Sequence, residues 1–167
     1  MLCEVIERWS VVARFLLKIP ATDAIGTGES FMNGQKILIV DDNPVIVKTL
    51  SMKLASAGYQ VVAAVDGSEA IAAARKERPN LILLDISFPE ELGIVWDGFK
   101  IIAWLQRVDE IQQVPIIIIS GGDAAKFKER SLQAGAIAYF QKPVDNDQLL
   151  DLIKQTLSTG AENPAKG

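Results

Sequence analysis

Several apolar runs in this sequence stop abruptly at a residue that could take part in chemistry. The runs are 36–40, 81–84 and 115–119, and they are followed by Asp41–Asp42, Asp85 and Ser120, respectively. An unpaired carboxylate is costly to bury. Asp85 is therefore expected at the carboxyl end of a buried strand, where it faces a crevice. Polar groups at the ends of several buried strands would form one site.

The elements that must position these residues alternate between strand and helix. Strand patterns at 36–40, 60–64, 81–84, 115–119 and 137–140 alternate with helix patterns at 44–57, 67–77, 99–108, 124–133 and 147–157. Pro44 at a helix start, and Gly58 and Gly135 directly after helices, are typical of helix ends. Five strands that alternate with five helices predict an α/β fold, with a parallel sheet covered by helices on both faces.

The first 34 residues differ in character from the rest of the chain. Apolar residues from Leu2 to Ile19 recur at helical spacing, and Pro20 ends the pattern, so we predict an amphipathic helix and then a flexible linker up to residue 34. The helix would pack on the next domain or on a second copy of itself, which would give a homodimer. Met32 is an alternative start that would remove the helix. The main domain is predicted over 35–158, with a disordered tail over 159–167.

Composition narrows the classes of function. The 167 residues are 49% hydrophobic and 23% charged, which is typical of one globular domain, and the net charge of -4 argues against non-specific binding to nucleic acid or membranes. The single cysteine, Cys3, suits the cytoplasm, which we predict as the location. Histidine is absent, so any phosphohistidine in a reaction of this protein belongs to a partner.

Residues 36–157 resemble a response-regulator receiver domain of two-component signalling, of the CheY-like superfamily. The matching positions are the paired acids Asp41–Asp42, the phosphoacceptor Asp85, the hydroxyl residue Ser120, the aromatic switch Tyr139 and the Lys142–Pro143 pair. The resemblance implies a doubly wound, flavodoxin-like, five-stranded parallel sheet of order 2-1-3-4-5. It also implies a cis peptide bond between Lys142 and Pro143.

This strand order would place the three acids side by side, where their charges repel one another. A divalent cation removes the conflict, and Mg²⁺ prefers one or two carboxylates with water and phosphate oxygens. The resemblance implies direct ligation by Asp42 and Asp85, a water-mediated contact from Asp41, and a further ligand in the backbone carbonyl of Ser87.

Asp85 would then attack phosphorus and form an acyl phosphate. Lys142 would neutralise charge on the transferring group, and the Ser120 hydroxyl would bind a phosphoryl oxygen afterwards. The donor implied is a sensor histidine kinase or a histidine phosphotransfer protein. Such a domain is not a general enzyme, because it catalyses only its own phosphorylation and dephosphorylation. Phosphorylation is expected to move Tyr139 inward and to tighten binding of a downstream protein to the last two helices and the strand between them.

One loop departs from the family pattern. Pro89 keeps its place after the phosphoacceptor, but the expected glycine, Gly98, arrives five residues late. We expect the insertion over 90–97 to alter partner docking or the lifetime of the phosphate. Two alternatives stay open: a receiver-like module that binds partners without phosphate, and a magnesium phosphohydrolase of the haloacid dehalogenase type. The second class requires an aspartate where this chain has Ser87.

Overall fold

The computed structural model describes residues 34–87, 98–109 and 111–160. The predicted N-terminal helix and its linker up to residue 33, the inserted loop and residues 161–167 lie outside the described residues. None of the described helices combines the length and the apolar character that crossing a bilayer requires.

The described strands form one parallel sheet of five. They are β1 (Lys36–Val40), β2 (Gln60–Ala64), β3 (Leu81–Leu84), β4 (Ile116–Ser120) and β5 (Ala138–Gln141), in the order β2-β1-β3-β4-β5. This order confirms the predicted doubly wound, flavodoxin-like fold. Val40 pairs with Leu84, and Leu84 pairs with Ile118, so β1, β3 and β4 end at the same edge of the sheet.

Five helices connect and cover the strands. They are α1 (Pro44–Ser56), α2 (Gly67–Glu77), α3 (Gly98–Leu105), α4 (Ala124–Gln133) and α5 (Asn146–Gly160). The predicted end of α3 at Val108 is wrong, because the amide of Val108 donates to the carbonyl of Leu105 in a turn. Helix α5 continues to Gly160, two residues into the predicted tail. Strands β4 and β5 each lie one residue later than predicted.

The core is divided into two layers by the sheet, because successive strand side chains point to opposite faces. Leu38, Val40, Ile82 and Leu84 pack with α2 and α3, through Ala70, Ala74, Ile101, Ile102 and Leu105. Ile37, Ile39, Leu81 and Leu83 pack with α1 and α5, through Leu50, Leu54, Leu149, Ile153 and Leu157. Burial of each of these leucine, isoleucine and valine side chains contributes about 1.5–3 kcal/mol. The central strands are therefore held rigidly from both sides, and so are the residues at their ends.

Candidate functional site

The ends of β1 and β3 bring three carboxylates together. Asp41, Asp42 and Asp85 each offer an oxygen within 4.8 Å of the others. The pairing continues past the strands, because the amide of Asp85 donates to the carbonyl of Val40 at 2.8 Å. Asp41 and Asp85 are only 3% and 4% exposed, whereas Asp42 is exposed. The grouping expected from the strand ends is therefore present, with two acids buried and one open to solvent.

Lys142 joins the two buried acids. Its Nζ donates to Asp41 Oδ2 at 2.7 Å and to Asp85 Oδ2 at 2.5 Å. Burial alone would lower the pKa of the ammonium, but the hydrogen bonds to Asp41 and Asp85 outweigh it and raise the pKa. The Lys142–Pro143 peptide bond is cis, as the resemblance implied. A contact between Lys142 and the phosphoryl group was expected from the resemblance, whereas its pairing with Asp41 was not.

Each buried carboxylate has its second oxygen held by the backbone. Asp85 Oδ1 accepts a hydrogen bond from the amide of Ser87 at 2.8 Å, and Asp41 Oδ1 accepts one from Asn43 at 2.9 Å. Burial raises the pKa of Asp85, and the hydrogen bond from Lys142 opposes this effect. Asn43 also caps α1, as its side chain accepts from the amide of Val45 at 3.0 Å. The orientation of both carboxylates is therefore fixed before any ligand arrives.

Two hydroxyl groups meet beside Asp85. Ser120 is fully buried, and its Oγ lies 3.1 Å from Ser87 Oγ and accepts from the amide of Gly122 at 3.2 Å. Sequence reasoning considered only the backbone carbonyl of Ser87 and missed its hydroxyl. Its position two residues after Asp85 could have indicated this contact, because the side chains of residues i and i+2 of an extended chain point to the same side.

Tyr139 lies on the same side of the site. Its ring is partly buried and packs against the core layer of α2 and α3. Its hydroxyl donates to the carbonyl of Gly122 at 3.2 Å. Burial raises the pKa of the Tyr139 hydroxyl. The predicted switch pair is therefore in contact through the loop that follows β4.

Gly98 shows how closely α3 approaches the site. A Cβ at this position would lie 2.5 Å from Ile86 Cα and 2.8 Å from the carbonyl oxygen of Asp85. Real side chains do not tolerate such distances from backbone atoms, so only glycine allows this contact. The late glycine of the sequence is thus the residue on which α3 begins, directly against the backbone of Asp85.

The donor set of this site suits a hard cation. Carboxylate oxygens are the ligands that Mg²⁺ prefers in proteins. Three acids face one ammonium group here, so the site keeps an excess of negative charge. The residues present therefore fit Mg²⁺.

A family model and individual known proteins indicate the same family for this chain. Residues 37–154 match the model of the response regulator receiver domain family. The chain is 36% identical over 123 residues to protein PilH of Pseudomonas aeruginosa, covering 74% of this chain and 98% of that protein. It is 32% identical over 123 residues to the polar-differentiation response regulator DivK of Brucella anthropi, covering 74% and 96%.

A solved structure supports the same assignment. The chemotaxis response regulator CheY4 of Vibrio cholerae superimposes with a TM-score of 0.65 at 30% identity, covering 73% of this chain and 98% of that one. The region that matches the family, 37–154, contains β1 from its second residue, the other four strands and the acids at the strand ends. The chain belongs to the response regulator receiver domain family of two-component signalling.

Proposed function

We propose that this protein accepts a phosphoryl group on Asp85, in a magnesium-dependent reaction, and signals through phosphorylation-dependent contact with another protein. The observation that carries the proposal is the environment of Asp85. Its carboxylate is buried at a strand end, within reach of two further acids, and Lys142 Nζ lies 2.5 Å away. A nucleophile, a cation site and a positive charge thus meet at one point, which phosphoryl transfer requires.

In this proposal Asp42 and Asp85 would hold Mg²⁺ directly, Asp41 would act through a water, and the backbone carbonyl of Ser87 would be a further ligand. Bound there, Mg²⁺ would neutralise negative charge on the carboxylates and on the phosphoryl oxygens. The exposure of Asp42 supports its proposed role as a direct ligand, because an exposed carboxylate can bind a cation without breaking buried contacts.

The chemical step forms one bond and breaks another. A carboxylate oxygen of Asp85 bonds to phosphorus, and the bond between phosphorus and the partner's imidazole nitrogen breaks, so that the imidazole leaves. The backbone amide of Ser87 and the ammonium of Lys142 hold the carboxylate in one orientation before the attack. Lys142 then pairs with the transferred group, and the Ser120 hydroxyl exchanges its contact with Ser87 for a phosphoryl oxygen.

The proposed donor is a phosphohistidine on a sensor histidine kinase or a histidine phosphotransfer protein, since this chain contains no histidine. We keep the cytoplasmic location predicted from the sequence as part of the proposal. The proposed output surface is the groove formed by α4, β5 and α5, which is lined by Lys128, Leu132, Ile137, Tyr139, Pro143 and Gln148. Leu132 and Ile137 leave 46% and 45% of their surface exposed there, which would suit an apolar contact with a target protein.

A second candidate function is a module that binds partners without phosphate. One observation favours it: Lys142 pairs with both buried acids, so each buried carboxylate has a cationic partner within the protein itself. The two candidates differ in one measurable property: a phosphate-independent module would not acquire a phosphoryl group in the presence of Mg²⁺.

The test is incubation with acetyl phosphate, followed by intact-protein mass spectrometry. We expect one phosphoryl group to be added in the presence of Mg²⁺, and none after chelation or in Asp85→Asn. The control is Asp66→Asn, which removes an acid that caps α2. This variant should label like the unmodified protein. If neither acetyl phosphate nor a phosphorylated histidine kinase labels the protein, the phosphate-independent module is favoured.

A further inference from the structure

Gly122 connects two of the residues proposed for switching. Its amide donates to Ser120 Oγ at 3.2 Å, and its carbonyl accepts from the Tyr139 hydroxyl at 3.2 Å. Both contacts use the backbone, so they depend on the position of the peptide groups rather than on a side chain. Whatever fixes Gly122 in space therefore acts on Ser120 and Tyr139 together.

Phe127 lies directly against Gly122. A Cβ built on Gly122 would be 2.6 Å and 2.8 Å from Cε2 and Cδ2 of the Phe127 ring. The ring belongs to the first turns of α4, where the amide of Phe127 donates to the carbonyl of Asp123 at 3.0 Å. Asp123 also caps the helix, accepting from the amide of Ala125 at 2.9 Å. The helix start therefore places the ring beside the loop that follows β4.

An aromatic ring and an ammonium group also contact the Phe127 ring. It stacks on Phe99 with centroids 6.4 Å apart and an angle of 29° between the planes. The guanidinium of Arg130 lies 3.9 Å from the centroid of Phe99, and Lys126 Nζ lies 5.4 Å from that of Phe127. Such stacked and cation–π contacts stabilise a fixed ring position. Phe99 follows Gly98 in α3. The stacked Phe99–Phe127 pair therefore also connects the loop after β4 to the helix that packs on Asp85.

We propose that Phe127 is a positioning residue for the contact between Ser120, Gly122 and Tyr139. Its ring occupies the space beside Gly122 and fixes the peptide groups that bind both hydroxyls. Gly122 has an ordinary backbone conformation, so the ring, and not the backbone, makes glycine necessary there. The positioning is a property of the unphosphorylated protein, and only its effect on reaction rate rests on the proposed function.

The direct test is ¹⁹F NMR of protein labelled with 3-fluorotyrosine. The chain contains two tyrosines, and Tyr59 lies in the other core layer, so its resonance is an internal reference. We expect Phe127→Ala and Gly122→Ala each to move the Tyr139 resonance and to leave the Tyr59 resonance in place. Gly121→Ala is the matched control, because a Cβ there meets no atom within 4 Å and its backbone conformation is also ordinary.

A double variant tests whether the effects of Gly122→Ala and Phe127→Ala arise from one contact between the two positions or are independent. With alanine at 127, a Cβ at 122 no longer meets a ring. The Tyr139 resonance of Gly122→Ala/Phe127→Ala should therefore match that of Phe127→Ala alone. If the two shifts simply add, the contact between the two positions does not hold Tyr139, and the proposal is wrong.

Kinetics test whether Phe127 acts through Ser120. Loss of one positioned hydrogen bond should slow phosphorylation by acetyl phosphate roughly fivefold in Phe127→Ala. Phe127→Tyr keeps the ring and should retain the original rate. In a Ser120→Ala background, Phe127→Ala should have no further effect. Ile71→Ala, which removes a partly buried side chain of the same core layer, controls for a general loss of stability.

The outcomes separate this inference from the proposed function. Unchanged Tyr139 resonances in both Phe127→Ala and Gly122→Ala overturn the inference, even if the unmodified protein is phosphorylated normally. If the resonances move as expected but no variant accepts phosphate, the positioning is supported and the proposed function fails. Should Phe127→Ala not fold, the comparison of Gly122→Ala with Gly121→Ala still decides the question.

Discussion

Among single residues, Asp42 and Ser120 divide the proposed chemistry between cation binding and response. Asp42 is exposed beside the two buried acids, whereas Ser120 is buried and bound to Ser87 and Gly122. Asp42→Ala removes a proposed direct ligand and should weaken Mg²⁺ binding about tenfold or more, since even indirect partners of a metal contribute that much. Ser120→Ala should leave the Mg²⁺ affinity nearly unchanged but uncouple phosphorylation from partner binding.

Isothermal titration with Mg²⁺ measures both variants under the same conditions. An equal loss of affinity in Asp42→Ala and Ser120→Ala would contradict the division of roles. The Ser120→Thr variant is a useful companion, because it keeps the hydroxyl and should behave like the unmodified protein.

Lys142 has a structural part in addition to its proposed catalytic one. It is the ammonium group that pairs with both buried acids, so Lys142→Ala leaves two carboxylates buried without that partner. Removal of one member of a buried ion pair is strongly destabilising, and we expect a loss of about 3 kcal/mol in the free energy of unfolding without metal. Added Mg²⁺ should stabilise this variant more than the unmodified protein, because the cation replaces the missing charge.

Urea denaturation with Mg²⁺ and with a chelator measures both effects. The matched control is Lys53→Ala, which removes a more exposed ion pair with Asp147 and should cost much less. If Mg²⁺ stabilised Lys142→Ala no more than the unmodified protein, the cation would not replace the charge of Lys142 at these acids.

Among the elements, α3 begins directly against the backbone of the proposed phosphoacceptor. Gly98→Ala would place a Cβ 2.8 Å from the carbonyl oxygen of Asp85, so α3 must move away from the end of β3. We expect a loss of about 1–3 kcal/mol in the free energy of unfolding, the usual effect of overpacking. Phosphorylation should also slow, because the Asp85 backbone shifts.

Thermal denaturation and acetyl phosphate labelling of Gly98→Ala give both quantities. Gly121→Ala again serves as the control, since its Cβ meets open space. Normal stability together with normal labelling in Gly98→Ala would show that α3 does not constrain Asp85.

Elements and site were predictable from the sequence to different degrees. The strands could be predicted because their apolar runs are uninterrupted and end in polar residues, and parallel order then brings Asp41 and Asp85 to one edge. The end of α3 could not be predicted, because the apolar spacing continues to Val108 while the backbone already forms a turn. The packing of Phe127 against Gly122 was also hidden, because contacts between a side chain and a loop leave no periodic pattern.

For the whole molecule, the proposed switch predicts which surface changes its affinity for a partner on phosphorylation. The hydroxyl of Tyr139 already reaches Gly122 without phosphate, so the expected inward movement starts from a partly buried ring. Phosphorylation should therefore tighten an existing contact and give a graded shift in partner affinity, of about 1–3 kcal/mol of coupling. The affected surface should be the groove of α4, β5 and α5.

Backbone NMR shifts on phosphorylation locate that surface. We expect the largest changes around the site and over residues 122–157. Changes confined to the inserted loop 90–97 would assign the output to that loop and would remove Tyr139 from the account.

Chemical mapping of the label tests whether Asp85 receives the phosphoryl group. Protein treated with acetyl phosphate and Mg²⁺ is reduced with borohydride, which converts an aspartyl phosphate to homoserine, and the peptides are sequenced by mass spectrometry. We expect homoserine at position 85, no homoserine without Mg²⁺, and no modified peptide in Asp85→Asn. Homoserine at position 41 or 42, or equal labelling of Asp85→Asn, would contradict the account.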